Sequence, residues 1–346
     1  MPMGCKYGTH RVIEPAGVMP QAAWKIDNTM EIRDNEILIR VQTLNIDAAS
    51  FTQIKKEAEY DDARIGEIML GIVAKRGKHH NPVTGSGGML IGTVEQVGRE
   101  LAGKIDLAPG DRIATLVSLS LTPLVIEKIL KVHQDTDQVD IEGRAILFES
   151  GIYAKLPSDM PDSLSLAVLD VAGAPAQTAK LVKPGDTVLV IGAGGKSGLL
   201  CLYEARKRAG VTGKVIALAH SAASRARAES LEYADVVLAG DATRPLEILR
   251  MIEKATSGQL ADVTINCVNI PGTEMSSILS TKEGGLVYFF SMATSFTAAA
   301  LGAEGVGHDV TMLIGNGYTR GHAQIALEVL RESAKLRKLF EELYAR

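Results

Sequence analysis

The chain has 346 residues, 46% hydrophobic and 23% charged, with a formal net charge of −4; this is the composition of a folded protein long enough for two cores. No block of lysine or arginine is long enough for a nucleic-acid surface, and no run of about 18 apolar residues is present to span a bilayer. Met1 to Arg11 carries no apolar stretch of signal-peptide length, so a cytoplasmic protein with no membrane or nucleic-acid partner is expected.

From Tyr7 to Val41, the segments Arg11-Val-Ile13 and Glu36-Ile-Leu-Ile-Arg-Val41 are separated by Glu14-Pro-Ala-Gly17 and Asp34-Asn35, which predicts antiparallel strands. After Thr43-Leu-Asn-Ile-Asp-Ala-Ala-Ser50 a charged stretch to Arg64 is expected to be partly helical, followed by an apolar segment around Ile68 to Val73. Lys75-Arg-Gly-Lys-His-His80 reads as a solvated basic loop, because paired histidines mark a metal only where a third ligand converges. Gly85 to Gly98 and Leu107 to Ala114 each read as a turn leading into a strand, and Gly151-Ile-Tyr-Ala-Lys-Leu-Pro157 closes a β-rich domain expected over residues 1–160. The helix that follows is opened by Pro161-Asp-Ser-Leu-Ser165.

The period then changes. Strands Val188–Ile191, Val215–Ala219, Val236–Leu238, Val263–Cys267 and Leu286–Phe290 alternate with helices Gly198–Ala209, Ala222–Leu231, Pro245–Ala255 and Thr273–Leu279. That spacing predicts a doubly wound parallel sheet over residues 161–346, an α/β arrangement. A sixth strand, Val310–Ile314, is placed at a sheet edge where a second copy can pair, so a dimer or tetramer is expected; one helical tail, Ala323 to Arg346, ends the chain.

Lys183-Pro-Gly-Asp186 turns the chain into Val188-Leu-Val-Ile-Gly-Ala-Gly-Gly-Lys-Ser-Gly198, a buried strand that breaks into glycines and resumes as a helix. Gly192, Gly195 and Gly198 give Gly-x-x-Gly-x-x-Gly, with Gly194 supplying a Gly-x-Gly start; backbone N–H groups and the helix end together make a pyrophosphate seat. A nucleoside-triphosphate loop is excluded, since that motif needs glycine where Val190 stands. Gly192, Gly194, Gly195, Lys196, Ser197 and Gly198 are therefore candidate cofactor contacts, Lys196 either adding charge near the phosphates or facing solvent. About 20 residues on, where a carboxylate usually meets the adenosine ribose, the chain offers His220, Ser221, Ser224 and Arg225. Nothing there repels a 2′-phosphate and Arg225 can attract one, so NAD and NADP both stay open. Cys267, Ser291 and Asn316, beyond the later strands, complete the candidate cofactor set. Cys201 and Cys267 also read as small core residues, and the three cysteines lack the paired spacing of zinc knuckles.

With these residues placed, the chain resembles the medium-chain dehydrogenase/reductase superfamily over nearly its whole length. The matching words are Leu44-Asn-Ile-Asp47, Gly92-Thr-Val-Glu-Gln-Val-Gly98, Ala108-Pro-Gly-Asp-Arg112, Lys183-Pro-Gly-Asp186 and the glycine turn. The resemblance implies a GroES-like β-barrel domain followed by a Rossmann domain. More narrowly, Tyr7-Gly-Thr-His-Arg-Val-Ile-Glu-Pro15 and Ile314-Gly-Asn-Gly-Tyr-Thr-Arg-Gly-His322 resemble the L-erythro-3,5-diaminohexanoate dehydrogenase family of bacterial lysine fermentation. That implies NAD-linked oxidative deamination of a small diamino acid to 5-amino-3-oxohexanoate and ammonia. The chain departs from the zinc-dependent relatives. Their three catalytic ligands match Asp47, Gly88 and about Val171, and the four close cysteines of a structural zinc lobe are missing, so no metal is expected. The tail departs as well, ending in a helical stretch where most relatives return a strand to the first domain.

Loss of zinc suits an amine. A metal helps an alcohol by lowering its hydroxyl pKa, whereas a deprotonated amine expels hydride with its own lone pair. The ammonium, with a pKa of about 10 by analogy with lysine, must first lose a proton. Asp47 is the first candidate to hold it or take that proton, because it stands where relatives place a metal ligand facing the nicotinamide; the other reading is a cap or turn carboxylate. His10 and Arg11 follow from the family-like opening, with Arg11 suited to forking onto a substrate carboxylate, or else the two form a satisfied edge-strand pair. Asn45 and Ser50 are candidates to line the same cleft, with Asn316 and Tyr318 approaching from the second domain. Two other readings compete. One is a zinc-free NADPH-dependent quinone or enone reductase, because Leu44-Asn-Ile-Asp47 and the glycine turn occur there too. The other is a catalytically idle NAD(P)-binding protein such as a lens crystallin or redox-sensing regulator.

Overall fold

In the computed structural model, which describes residues 3–315 and 317–345, the alternating segments of the first half become strands. β1 (Val12–Glu14) and β2 (Lys25–Ile26) pair as a small antiparallel ribbon. β3 (Glu36–Ile46), β4 (Gly88–Val97), β5 (Arg112–Thr115), β6 (Leu124–His133), β7 (Gln138–Phe148) and β8 (Tyr153–Lys155) form an antiparallel sheet in the order β6-β7-β3-β4-β5-β8. Helices α1 (Ala48–Glu57) and α2 (Asp62–Arg76) fill the connection from β3 to β4. Ile37, Ile39, Val41, Leu44 and Ile46 of β3 share one core with Phe51 and Ile54 of α1 and with Ile65, Met69 and Val73 of α2. The last three recur every fourth residue and so lie on one helix face. The Asp61 carboxylate starts α2 by accepting from the Arg64 N–H at 2.9 Å, and Gly77, at φ +72°, ends it.

The loop from Lys75 to His80 is not the solvated surface its charges suggest. Gly77, Lys78 and His79 are buried. The Lys78 ammonium donates to the Pro20 carbonyl at 2.6 Å, and burial, helped by the charge of Arg76, lowers its pKa to about 8. Burial likewise takes His79 down to about 4, so its ring is neutral. A run of basic residues reports what the side chains prefer, and here backbone carbonyls from a distant turn supply Lys78 with the partners that water would have given.

The second half contains α3 (Asp162–Leu169), α4 (Gly173–Leu181), β9 (Thr187–Ile191), α5 (Lys196–Ala209), β10 (Lys214–Ala219), α6 (Ala222–Leu231), β11 (Val236–Ala239) and α7 (Pro245–Thr256). It continues through β12 (Ala261–Asn266), α8 (Glu274–Leu279), β13 (Thr281–Phe289), α9 (Phe296–Val306), β14 (Thr311–Ile314), α10 (His322–Glu332) and α11 (Ala334–Tyr344). The strands form one parallel sheet ordered β11-β10-β9-β12-β13-β14. Chain order reverses beside β9, which places a crevice at its C-terminal end. β9 is buried on both faces, Val188 and Val190 in one core and Leu189 and Ile191 in the other; this is why the strand reads as an unbroken apolar run. The α/β expectation, an antiparallel domain followed by a doubly wound parallel one, is met. The chain divides into two compact units, one through Ser158 and one from Asp159.

Two elements differ from expectation. α9 was hidden by its own composition, alanine and glycine in place of an amphipathic stripe, although Ser295 caps its start by accepting from the Ala298 N–H and Gly307, at φ +63°, ends it. Gly302 packs against α8, where a Cβ would lie 2.3 Å from the Met275 sulfur and would displace that side chain. The tail is two helices rather than one. Ser333 leaves helical geometry at φ −118°, ψ 99°, and its hydroxyl accepts from the Leu336 N–H to start α11. Among the described residues no helix is long and apolar enough to cross a membrane.

Candidate functional site

In the second unit the site begins where β9 runs out. Gly192 takes φ +80°, a conformation that side chains resist, and the N–H groups of Gly192 and Ala193 both donate to the Leu218 carbonyl at 3.0 Å. The turn is closed too tightly for other residues. A Cβ on Gly194 would sit 2.0 Å from the Ser224 carbonyl oxygen, and one on Gly198 would sit 2.2 Å from that of Gly192. Gly195 is different, since a Cβ there meets only the Gly192 oxygen, at 3.5 Å. Its surface is left open toward the start of α5, where no side chain caps the first turn. Open space, outward amide groups and the positive end of a helix suit the pyrophosphate of a dinucleotide.

A cleft of about 520 Å³ extends from this turn, bounded by Gly192, Gly194, Gly195, Lys196 and Ser197, by His220 at the end of β10, and by Cys267 after β12. Seven of the sequence-derived candidates thus meet around one space. Others do not reach it. Gly198 packs helix against strand. Ser221 caps α6 by accepting from the Ser224 N–H at 3.1 Å. Arg225 pairs with Glu229 at 2.7 Å on the surface and is not among the residues lining the cleft. Ser291 donates to the Asn269 side chain at 3.3 Å and supports that wall from behind. Asn316 lies outside the described residues. Lys196 does not simply face solvent either, since its ammonium pairs with Asp170 at 2.9 Å.

Sequence reasoning passed over Arg227, Gly240, Asp241, Thr243 and Asn269, which also line the cleft. Arg227 donates from Nε to the Gly194 carbonyl at 2.9 Å and so braces the turn. Asp241 accepts from the N–H and hydroxyl of Thr243 at 2.9 and 2.7 Å; these bonds, the backbone one first, hold its carboxyl below the ordinary value and keep it ionised. A signal was available, because Gly240-Asp241 follows β11 directly and strand ends on this side of such a sheet carry the ligand.

In the first unit, Asp47 follows β3 and stands at the N-cap position of α1, yet its side chain does not cap the helix. Its Oδ2 instead accepts from the Gly87 N–H at 3.1 Å. Gly87 permits that approach, as a Cβ would lie 2.6 Å from the Ser120 nitrogen and 2.7 Å from the His79 carbonyl. Ser50 is fully buried, with its hydroxyl 2.5 Å from those of both Thr84 and Ser86. It ties the loop before β4 to α1 and does not line an open surface. Asn45 accepts from the Gln138 amide at 3.2 Å, between β3 and β7.

His10 and Arg11 are the clearest correction. Arg11 is 3% exposed; its Nε and Nη2 donate to the two oxygens of Glu36 at 2.7 Å each, and its remaining N–H groups reach the carbonyls of Thr29 and Glu31 at 2.8 Å. His10 meets the same carboxylate through Nε2 at 2.8 Å. The fork is closed on Glu36, so it does not present itself to a substrate carboxylate. Burial pushes the Glu36 carboxyl up, but the hydrogen bonds from Arg11, the Arg33 N–H and His10, with the charge of Arg11, outweigh it and leave the pKa lowered.

No metal donor set fits either position. At Gly88 the backbone has φ +114°, and a Cβ would fall 2.0 Å from the Asn45 carbonyl and 2.8 Å from the Ile46 Cα, so no ligand side chain can be carried there. Among the described residues no three His, Cys, Asp or Glu converge to hold an ion.

Residues 10–157 match a family model described as the L-erythro-3,5-diaminohexanoate dehydrogenase N-terminal domain. The chain is 62% identical over 341 residues to L-erythro-3,5-diaminohexanoate dehydrogenase of Acetoanaerobium sticklandii, covering 99% of each chain. It is 60% identical over 344 residues to the protein of the same name from Fusobacterium nucleatum subsp. nucleatum, covering 99% of this chain and 100% of that one. Among solved structures, a quinone oxidoreductase of Pseudomonas syringae pv. Tomato superposes with a TM-score of 0.54 at 20% identity, over 89% of this chain and 81% of that one. That likeness bears on fold alone, and it is the fold of the GroES-like and Rossmann pair.

The Arg11–Glu36 pair generates a stability prediction. Glu36→Gln leaves a buried guanidinium without its counter-charge and is expected to cost about 3–5 kcal/mol in urea unfolding at neutral pH. The Glu36 pKa is depressed on folding, so its contribution is complete above the unfolded value of about 4.3 and is lost as pH falls through the lower folded value. Acid should therefore narrow the gap between wild type and variant below about pH 4.3. A neutral-pH cost under about 1 kcal/mol would mean the pair behaves as an exposed one.

Proposed function

The chain belongs to the L-erythro-3,5-diaminohexanoate dehydrogenase family, and from that membership we propose that it oxidises the amine-bearing carbon of L-erythro-3,5-diaminohexanoate, yielding 5-amino-3-oxohexanoate and ammonia. The observation that carries this reading is identity of 60% or more across nearly the entire chain to two dehydrogenases of that substrate. The quinone or enone reductase reading is less supported, since it draws on motifs common to the whole fold and on likeness at 20% identity.

A nicotinamide dinucleotide, when bound, supplies the hydride acceptor. The glycine turn and the start of α5 hold its phosphates through backbone N–H groups, with Arg227 keeping Gly194 in place. Asp47 holds the substrate ammonium and takes its proton, because the nitrogen lone pair has to be released before hydride can leave the adjacent carbon. The Gly87 N–H fixes the carboxylate through Oδ2. After oxidation, water adds to the iminium carbon and the adduct collapses to ketone and ammonium, while the proton that Asp47 took passes to solvent. Arg11 and Ser50 act as supports, one holding the entry of the chain against β3 and the other the loop that carries Gly87.

The preferred coenzyme is NAD. The ionised Asp241 in the cleft opposes a 2′-phosphate, Arg225 is engaged elsewhere, and the Nε of Arg227 is spent on a carbonyl. A second copy of the chain completes the assembly. Among the described residues β14 pairs on one side only, and beside it α9 exposes Leu301 at 62%, an apolar side chain that a symmetric partner would cover. A cytoplasmic location belongs to the same reading.

Three outcomes are expected. Purified protein with L-erythro-3,5-diaminohexanoate and NAD should produce reduced nicotinamide and ammonia in equal amounts, and Asp47→Asn should lose about 10²-fold or more in kcat while its dinucleotide Kd is unchanged; near-normal turnover would remove Asp47 from the mechanism. The ratio of kcat/KM for NAD over NADP should exceed about 10 and fall in Asp241→Asn, and a wild-type preference for NADP would reverse the assignment. Light scattering should give at least a dimer, with Leu301→Arg shifting it to monomer; a wild-type monomer at micromolar concentration would refute the pairing.

A further inference from the structure

Two thiols meet beneath the dinucleotide cleft, in a part of the molecule that deamination does not use. Cys201 lies in the second turn of α5 and is fully buried; Cys267 follows β12, is partly exposed, and lines the cleft. Their sulfurs are 3.8 Å apart. We propose that Cys201 and Cys267 are an oxidisable dithiol, a modification site that takes a hydroperoxide through the cleft whenever no dinucleotide is bound and, once closed to a disulfide, weakens dinucleotide binding. The proposal rests on the reading of this cleft as the dinucleotide seat.

The coupling follows from close packing. A disulfide brings its sulfurs to about 2.05 Å, so closure must draw the two segments together. The segment bearing Cys267 has little room to move independently of the phosphate turn. Its N–H donates to the Ile191 carbonyl at 2.9 Å, and a Cβ on Gly192 would already lie 3.2 Å from both the Cys267 carbonyl carbon and the Val268 nitrogen. Pulling Cys267 toward α5 therefore moves the peptide that lies against Gly192, whose left-handed geometry shapes the seat. Close packing transmits such displacements instead of absorbing them.

The chemistry balances with one peroxide. Cys267 Sγ attacks the peroxide, the O–O bond breaks, and a sulfenic acid and an alcohol or water result; Cys201 Sγ then displaces the hydroxyl as water and the S–S bond forms. Two electrons pass from the thiols to the peroxide. The neighbouring Cys201 thiol and burial both push the Cys267 thiol upward, which keeps the pair reduced in ordinary handling and makes closure slow. Bound dinucleotide covers the only route through the cleft that the proposal uses, so it should protect the pair.

The test uses the full chain in a Cys5→Ser background, because the exposed Cys5 would otherwise cross-link molecules. The protein is treated with hydrogen peroxide with and without saturating NAD, alkylated, digested and analysed by mass spectrometry, and NAD affinity is measured by calorimetry before and after. A Cys201–Cys267 linked peptide should form without NAD and at least fivefold more slowly with it. Oxidised protein should bind NAD at least tenfold more weakly, dithiothreitol should restore binding, and Cys201→Ser or Cys201→Ala should give no linked peptide and keep its affinity after peroxide. Absence of the linked peptide, or its formation with affinity unchanged, would overturn the proposal. If reduced protein bound neither NAD nor NADP, the reading of the cleft would fall and the binding half of the proposal with it, while the linked peptide would still decide the dithiol.

Discussion

The second unit depends on a steric exclusion: between the end of β9 and the first turn of α5 the backbone passes so close to its neighbours that Cβ atoms have no place. Gly194 lies against the Ser224 carbonyl and Gly198 against that of Gly192. These contacts let α5 pack directly onto the strand it follows, so that its first amide groups point into the cleft. Gly195 alone keeps open space above it. The same four glycines thus divide two tasks, three closing the turn and one leaving room for an anion. The flanking apolar run, buried on both faces of the sheet, gives the turn a rigid base.

Much of this was legible because each feature has a local cause. Strand β9, the glycine spacing and the alternation that follows can be read one residue at a time, and the structure places them within a residue or two of expectation, save that β13 starts at Thr281 and not at Leu286. What was not legible depended on partners far along the chain. Arg11 looked like a substrate fork because a guanidinium at the head of a strand has many uses; its actual partner, Glu36, stands 25 residues on. Lys78 and His79 looked solvated for the same reason. Arg227 escaped notice because Arg225, nearer the strand end, seemed the obvious reader of the ribose, whereas the turn of α6 carries Arg227 toward Gly194 and Arg225 toward Glu229.

Polar groups in the first unit show how burial separates structure from chemistry. Glu36 is surrounded by donors, all of them protein, and every one helps to fix β1, the entry turn and β3 to each other. Such a carboxylate is held ionised and has no part in exchange of protons with a ligand. Asp47 follows the same strand eleven residues later and is only half-buried, and its Oδ2 accepts from a backbone N–H. In the proposed function it is Asp47, and not the Glu36 carboxylate clasped by Arg11, that meets the ammonium.

Position 88 turns that suitability into a constraint on the reaction. Its φ of +114° and the nearness of the Asn45 carbonyl are properties of the β3–β4 pairing, which begins at the Ile46–Gly88 register. A histidine there would require the two strands to separate at their ends, so the donor set of a metal-dependent relative could not be regained by one substitution. An alcohol substrate would then lack the cation that lowers its hydroxyl pKa, at a cost too large for a carboxylate to recover, since an aspartate is a far weaker base than an alkoxide. An amine needs much less. Its conjugate acid sits near pKa 10, within reach of a carboxylate that binds the charged form and lets the proton go as hydride leaves. In the proposed function the backbone geometry at Gly88 and the carboxylate at Asp47 favour the same substrate chemistry, one by leaving no room for a metal ligand and the other by taking the proton of the nitrogen.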